Sequence, residues 1–191
     1  MCRKNKIRIV MSLMLSLCIG VYGQEYKGQK EGSFIKVLGT STLHDWEESA
    51  EDFSTKLTLA SSETIKIKAL EVSVKAESLE SGKSTMNKIT YEALKSDKNP
   101  NILFSFISQE NTTKVKEGVC VVLVKGNLTI AGVKKEITLE LETTQKEAEV
   151  VLKGKKTIKM TDYGMKPPKA MFGTIKTGNE ITIEFITNYK N

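Results

Sequence analysis

Histidine occurs once in the 191 residues, and proline and cysteine three times each. A single histidine excludes a metal centre built on a His cluster. Three prolines exclude a Pro-rich linker and a collagen-like chain. No P-loop, G-x-G-x-x-G run or G-x-S-x-G elbow is present, so nothing calls for a nucleotide, another cofactor or an α/β-hydrolase nucleophile. Internal repeats and low-complexity tracts are also missing. What is present suits one domain: 39% apolar and 27% charged residues are enough for a packed core.

The formal charge of +6 suggests a nucleic-acid or anionic-membrane partner until its origin is traced. Residues 1–23 read as a secretory signal peptide. Arg3, Lys4, Lys6 and Arg8 form a basic start, Ile9 to Val21 an apolar run, and Val21-Tyr22-Gly23 a cleavage site. The run is shorter than the ~20 residues of a spanning helix, and no second one follows. An uncleaved anchor is the competing reading. Leu17 before Cys18 argues against a lipobox. Without this segment 25 basic residues face 23 acidic ones, and the electrostatic case for nucleic acid disappears. The expected product is periplasmic or secreted, with no stable membrane span. Lys134-Lys135 and Lys155-Lys156 read as solvated strand or turn surface. Cys120 is then the one remaining cysteine. Within the apolar run Val119 to Val124 it reads as a buried, inert thiol.

The remainder alternates apolar and polar residues at the period of a half-buried strand. Strands are predicted over 33–38, 53–59, 65–76, 102–107, 119–130, 136–143, 147–160 and 181–187. Turn signals are Ser61-Ser62, Glu117-Gly118, Ala131-Gly132, Lys153-Gly154 and Thr177-Gly178-Asn179. One helix is predicted over 84–95, with Ser84 as N-cap and Met86, Ile89 and Ala93 on one face. The fold class is all-β: an antiparallel β-barrel of about eight strands with one short helix, which either lids the barrel or packs outside it. Closure removes exposed strand edges.

Alternation assigns Leu70, Val72 and Val74, Phe104 and Phe106, Leu128 and Ile130, and Ile183 and Phe185 to the inner face. Met160, Met165, Met171 and Phe172 add large or adaptable side chains. A small barrel either fills itself with side chains or holds one ligand, and composition alone favours the filled core. His44 precedes Asp45 and Trp46. Adjacent residues of a strand face opposite ways, so a His44–Asp45 dyad needs a turn. His44 reads first as a hydrogen-bonded structural residue, second as a polar contact at a ligand mouth, and third as an acid/base catalyst.

In order, the segments Gly39-Thr40-Ser41-Thr42-Leu43-His44-Asp45-Trp46, Met86 to Pro100, Ile102-Leu103-Phe104-Ser105-Phe106, Lys125 to Lys135, Asp162-Tyr163-Gly164-Met165 and Gly178 to Ile183 resemble the YceI-like family. These are exported lipocalin-like barrels, sometimes called polyisoprenoid-binding proteins. The resemblance covers nearly all of residues 26–190. It implies a lipocalin-like barrel and a non-enzymatic protein that carries or sequesters an amphiphilic lipid such as a polyisoprenoid. The inner-face residues above would line its tunnel. Trp46, Met86, Ile89 and the Met160–Phe172 loop would shape its mouth. A filled structural module, a lipid-acting enzyme using His44, and a homodimer remain open.

Overall fold

In the segment Val119–Ile130, Cys120, Val122, Val124, Gly126, Leu128 and Ile130 are buried, while every intervening side chain is half-buried. Successive side chains of an extended chain point to opposite faces, so this segment presents one continuous inner face. The same physics repeats along the chain. The computed structural model describes residues 23–60 and 65–191. Its elements are β1 (Gly23–Ser41), β2 (Trp46–Ala50), β3 (Phe53–Ala60), β4 (Ile67–Lys75), β5 (Leu79–Glu80), α1 (Ser84–Leu94), β6 (Asn101–Lys116), β7 (Val119–Ile130), β8 (Val133–Lys146), β9 (Glu149–Lys159), β10 (Lys169–Ala170) and β11 (Ile175–Lys190). Residues 1–22 of the expected signal peptide and the Ser61-Ser62 turn lie outside the described residues. Among the described residues no helix is long and apolar enough to cross a membrane.

The ladders run β11-β9-β8-β7-β6-β4-β3-β1, and β1 pairs back onto β11. These eight strands form a closed antiparallel barrel. Strand β1 serves two neighbours in turn. Its Gly23–Lys27 part pairs with β3, and its Lys36–Gly39 part pairs with β2. Between them Gly32 takes a left-handed conformation, φ +70°, which costs a residue without Cβ little. At that end of the barrel β2, with β5 beside it, occupies the place that β3 holds at the other.

The inner parity of β4 changes partway. Ile67 and Leu70 are both buried, although they stand an odd three positions apart. The pairs Leu57↔Leu70, Thr58↔Ala69 and Leu59↔Ile67 leave Lys68 unopposed. This β-bulge lets both apolar sets face inward. The Ala131-Gly132 turn links β7 to β8 with positive φ at both residues, as a two-residue hairpin requires. The Lys153-Gly154 signal marks no turn. Gly154 lies inside β9 opposite Phe185, and a Cβ there would meet the Phe185 ring at 2.8 Å. The glycine makes room for an aromatic ring. Thr177-Gly178-Asn179 falls within β11, where the register to β1 shifts between Gly39 and Ser41.

Helix α1 begins at Ser84, so Ser84 is its first residue and not its cap. Lys83 holds the N-cap position without a side-chain bond. The nearby hydrogen bonding comes from Ser81, whose Oγ accepts from the Lys83 N–H and donates to Asn87 Oδ1. The helix ends at Lys95, in the left-handed region at φ 53°. Ser96 N–H donates back to Tyr91 O, closing the last turn.

Candidate ligand-binding cavity

The barrel interior divides into a filled half and a hollow half. Leu57, Val122, Val124, Leu141 and Val150 are at most 1% exposed, and none of them borders the cavity. They interdigitate at the end where β7 meets β6 and β8 near Cys120. Cys120 is buried there as a free thiol. Towards the other end lies one cavity of about 780 Å³, within the ~300–1,000 Å³ usual for small-molecule sites.

The cavity runs from the level of Leu152 and Tyr189 past the point where two strands part. The β8–β9 ladder runs from Lys146↔Glu149 to Leu141↔Gly154 and stops. The next inward residues, Leu139 on β8 and Lys156 on β9, both border the cavity. The turn Met160–Tyr163 packs against β8, β9 and β11 beyond the split, with Met160 and Tyr163 buried. Helix α1 lies along another side. Met86, Ile89, Thr90, Ala93 and Leu94 face the cavity, so the helix forms part of its wall rather than packing outside the barrel.

Twelve of the residues assigned from sequence meet at this cavity: Trp46, Leu70, Val72, Val74, Met86, Ile89, Phe104, Leu128, Ile130, Met160, Ile183 and Phe185. Three do not. Phe106 points inward and packs on the core, but it stands one inward position further along β6 than Phe104, opposite Gly126. The Phe104 ring covers Gly126 and leaves Phe106 on the filled side. Met171 and Phe172 are exposed, Phe172 completely. Lys169 and Ala170 pair with Lys176 and Ile175, so Met171 and Phe172 sit at a hairpin tip with left-handed backbones and side chains in solvent. From the same segment Met165, Pro168 and Ile175 line the cavity instead.

Trp46 is held by two contacts. Its Nε1 donates to the Thr40 carbonyl at 3.1 Å, and its ring lies against Gly39, where a Cβ would collide with it. His44 is exposed at the rim. Its Nδ1 donates to the main-chain oxygen of Asp45 at 2.6 Å, so the neighbour's carboxylate is not its partner. Among the described residues no group of three or more His, Cys, Asp or Glu could hold a metal ion.

Two charged residues stand in the wall where the sequence reading places none: Glu48 was not singled out, and Lys156 was read as solvated surface. Glu48 of β2 is 1% exposed, and its Oε1 accepts a 2.6 Å hydrogen bond from the Thr90 hydroxyl of α1. Burial pushes its carboxyl up to about 7. The Thr90 bond opposes that rise, and the Glu80 carboxylate adds to it. Lys156 is the second. Lys134, Lys135 and Lys155 are exposed as expected, but Lys156 is half-buried and borders the cavity. Parity could have found it, since Val150, Leu152, Gly154, Lys156 and Ile158 share one face of β9. At the floor, the Tyr189 hydroxyl is buried without a well-formed hydrogen bond, although the Thr55 and Thr187 hydroxyls lie close to it.

The family description for YceI-like domains matches residues 26–189. The chain belongs to the YceI-like family. Among solved structures, Burkholderia cenocepacia BcnA is similar with a TM-score of 0.68 at 15% identity, covering 84% of this chain and 98% of that one. A polyisoprenoid binding domain from Saccharophagus degradans, implicated in plant cell wall breakdown, has a TM-score of 0.67 at 12% identity, covering 86% and 97%. A Campylobacter jejuni YceI protein has a TM-score of 0.58 at 20% identity, covering 75% and 84%. No curated protein matches the chain by sequence. At these identities the likeness shows the shared barrel.

Proposed function

We propose that this YceI-like protein is an exported, non-enzymatic carrier that sequesters an amphiphilic lipid of the isoprenoid class in its barrel. The observation that carries this reading is the cavity of about 780 Å³. Its wall is dominated by the inner faces of the strands and by the apolar face of α1, and packed side chains close it at one end. Each CH₂ moved from water into such a space contributes about 0.8 kcal/mol. A branched hydrocarbon tail therefore needs no polar recognition along its length. The structural likeness to a polyisoprenoid binding domain supports the ligand class. The signal-like residues 1–23 support export.

The enzyme reading gains little, because His44 is exposed and bonded to a main-chain carbonyl. The filled-module reading fits the Leu57 to Val150 half of the barrel and leaves the other half without an occupant.

The test is lipid extraction and mass spectrometry on protein purified from its native envelope. A stoichiometric isoprenoid lipid is expected, and a protein that yields no lipid in repeated preparations would refute the carrier reading. N-terminal sequencing of the exported protein is expected to begin at or near Gln24. A start at Met1 in a membrane fraction would mark an anchor instead.

A further inference from the structure

The charges bordering the cavity are lopsided. Lys83, Lys156 and Lys169 carry positive charge there, and Glu48 is the one carboxyl among the lining residues. Burial holds that carboxyl up to about 7, so its negative charge is weakened at neutral pH. Outside the signal-like segment the chain is nearly balanced in charge, so the bias belongs to the cavity.

Lys83 and Lys169 are exposed at the rim, whereas Lys156 lies further in. It occupies the first inward position of β9 beyond the last β8 pair, Leu141↔Gly154, and stands opposite Ile183 of β11. Among the described residues its ammonium makes no ion pair. The ion pairs present are Lys36–Glu47, Lys125–Glu110 and Lys190–Glu149, all on the outer surface. A lysine facing an apolar space costs free energy unless an anion or water meets it. A position where an otherwise apolar inner face breaks its own pattern is where function is expected.

We propose that the cavity selects amphiphiles with an anionic head, a phosphate ester or a carboxylate, and that Lys156 is the residue that binds the head inside the barrel. Lys156 then supplies a charge-assisted hydrogen bond to the head oxygens. The tail occupies the apolar space below, between Phe104, Leu128, Leu152 and Phe185. Lys83 and Lys169 raise the local concentration of anions at the entrance and do not set the preference. This inference rests on the carrier reading.

The experiment compares farnesyl phosphate with farnesol, and palmitate with hexadecanol, by titration calorimetry on the mature chain. The wild type is expected to bind each anion at least about tenfold more tightly than its alcohol. A preference confined to one pair identifies that head as the source. Lys156→Met should bring each anion down to the affinity of its alcohol, and a retained strand signature in circular dichroism shows that the variant is folded. Lys156→Arg should retain the preference. Lys83→Gln with Lys169→Gln should keep it at equilibrium. Equal affinities for anion and alcohol in the wild type overturn this inference alone. So does a preference that survives Lys156→Met or vanishes in the rim double variant. Binding of no probe at all overturns the carrier reading together with it.

Discussion

The Thr90 hydroxyl donates a 2.6 Å hydrogen bond to Glu48 Oε1 and so joins helix α1 to strand β2 at the cavity wall. The acceptor is 1% exposed, and burial lifts its carboxyl from the ordinary 4.5 to about 7. Between those two values the folded chain keeps a proton that the unfolded chain has released. Stability from this group is therefore greatest below about pH 4.5, falls as the pH rises through the window, and is flat above about 7. The full difference is on the order of 3 kcal/mol. Glu48→Gln still accepts from Thr90 and does not titrate. Urea melts at pH 4, 6 and 8 should show the variant gaining on the wild type as the pH rises. Parallel stability curves would remove Glu48 as the cause.

Leu139 and Leu141 share the inner face of β8 but belong to different halves of the barrel. Leu141 is fully buried among packed side chains, whereas Leu139 borders the cavity. Leu141→Ala should cost about 2–5 kcal/mol through lost burial and a new void. Leu139→Ala enlarges a space that is already open, and should cost roughly 1–2 kcal/mol less. Denaturant midpoints of the two variants test the division, and equal losses would contradict it.

Val72 is half-buried in the cavity wall. Val72→Trp therefore places its new ring in open space, and the fold should survive. Circular dichroism should retain its strand signature while co-purified lipid is lost. In a close-packed interior the same change would overpack and cost about 1–3 kcal/mol or more. A folded variant that keeps its lipid would place the ligand elsewhere.

Trp46 is the single tryptophan of the chain, and its ring borders the cavity against Gly39. Its emission should move to shorter wavelength as an apolar ligand displaces water beside it. Gly39→Ala should shift the unliganded spectrum by pushing the ring from its seat. An emission spectrum unchanged by saturating lipid would show that the ligand does not reach Trp46.

Which side of each strand faces inward was legible in the sequence. The change of parity between Ile67 and Leu70 is visible as spacing, and the structure resolves it with one bulge at Lys68. Ala131-Gly132 was legible as a turn because only a few dipeptides suit left-handed hairpin corners. Depth along the barrel axis was not legible. Phe104 and Phe106 share one parity, yet the first borders the cavity and the second packs on the filled side. That difference depends on the Phe104 ring of β6 lying over Gly126 of β7, a property of two strands at once. Met171 and Phe172 were misplaced because hydrophobicity does not report that a residue sits on a hairpin tip. Glu48 was hidden because its burial depends on α1, more than thirty residues further along the chain.

A barrel packed solid at one end acts as a ruler. For a tail that enters from the α1 end, each added CH₂ strengthens binding by about 0.8 kcal/mol until the chain meets the floor near Tyr189. Beyond that length further carbons lift the head away from Lys156 and add nothing. The layer of side chains around Leu141 and Val122 therefore does more than hold the fold together: it sets the longest chain the protein can shelter completely, and moving that layer by one inward residue per strand would change the measure.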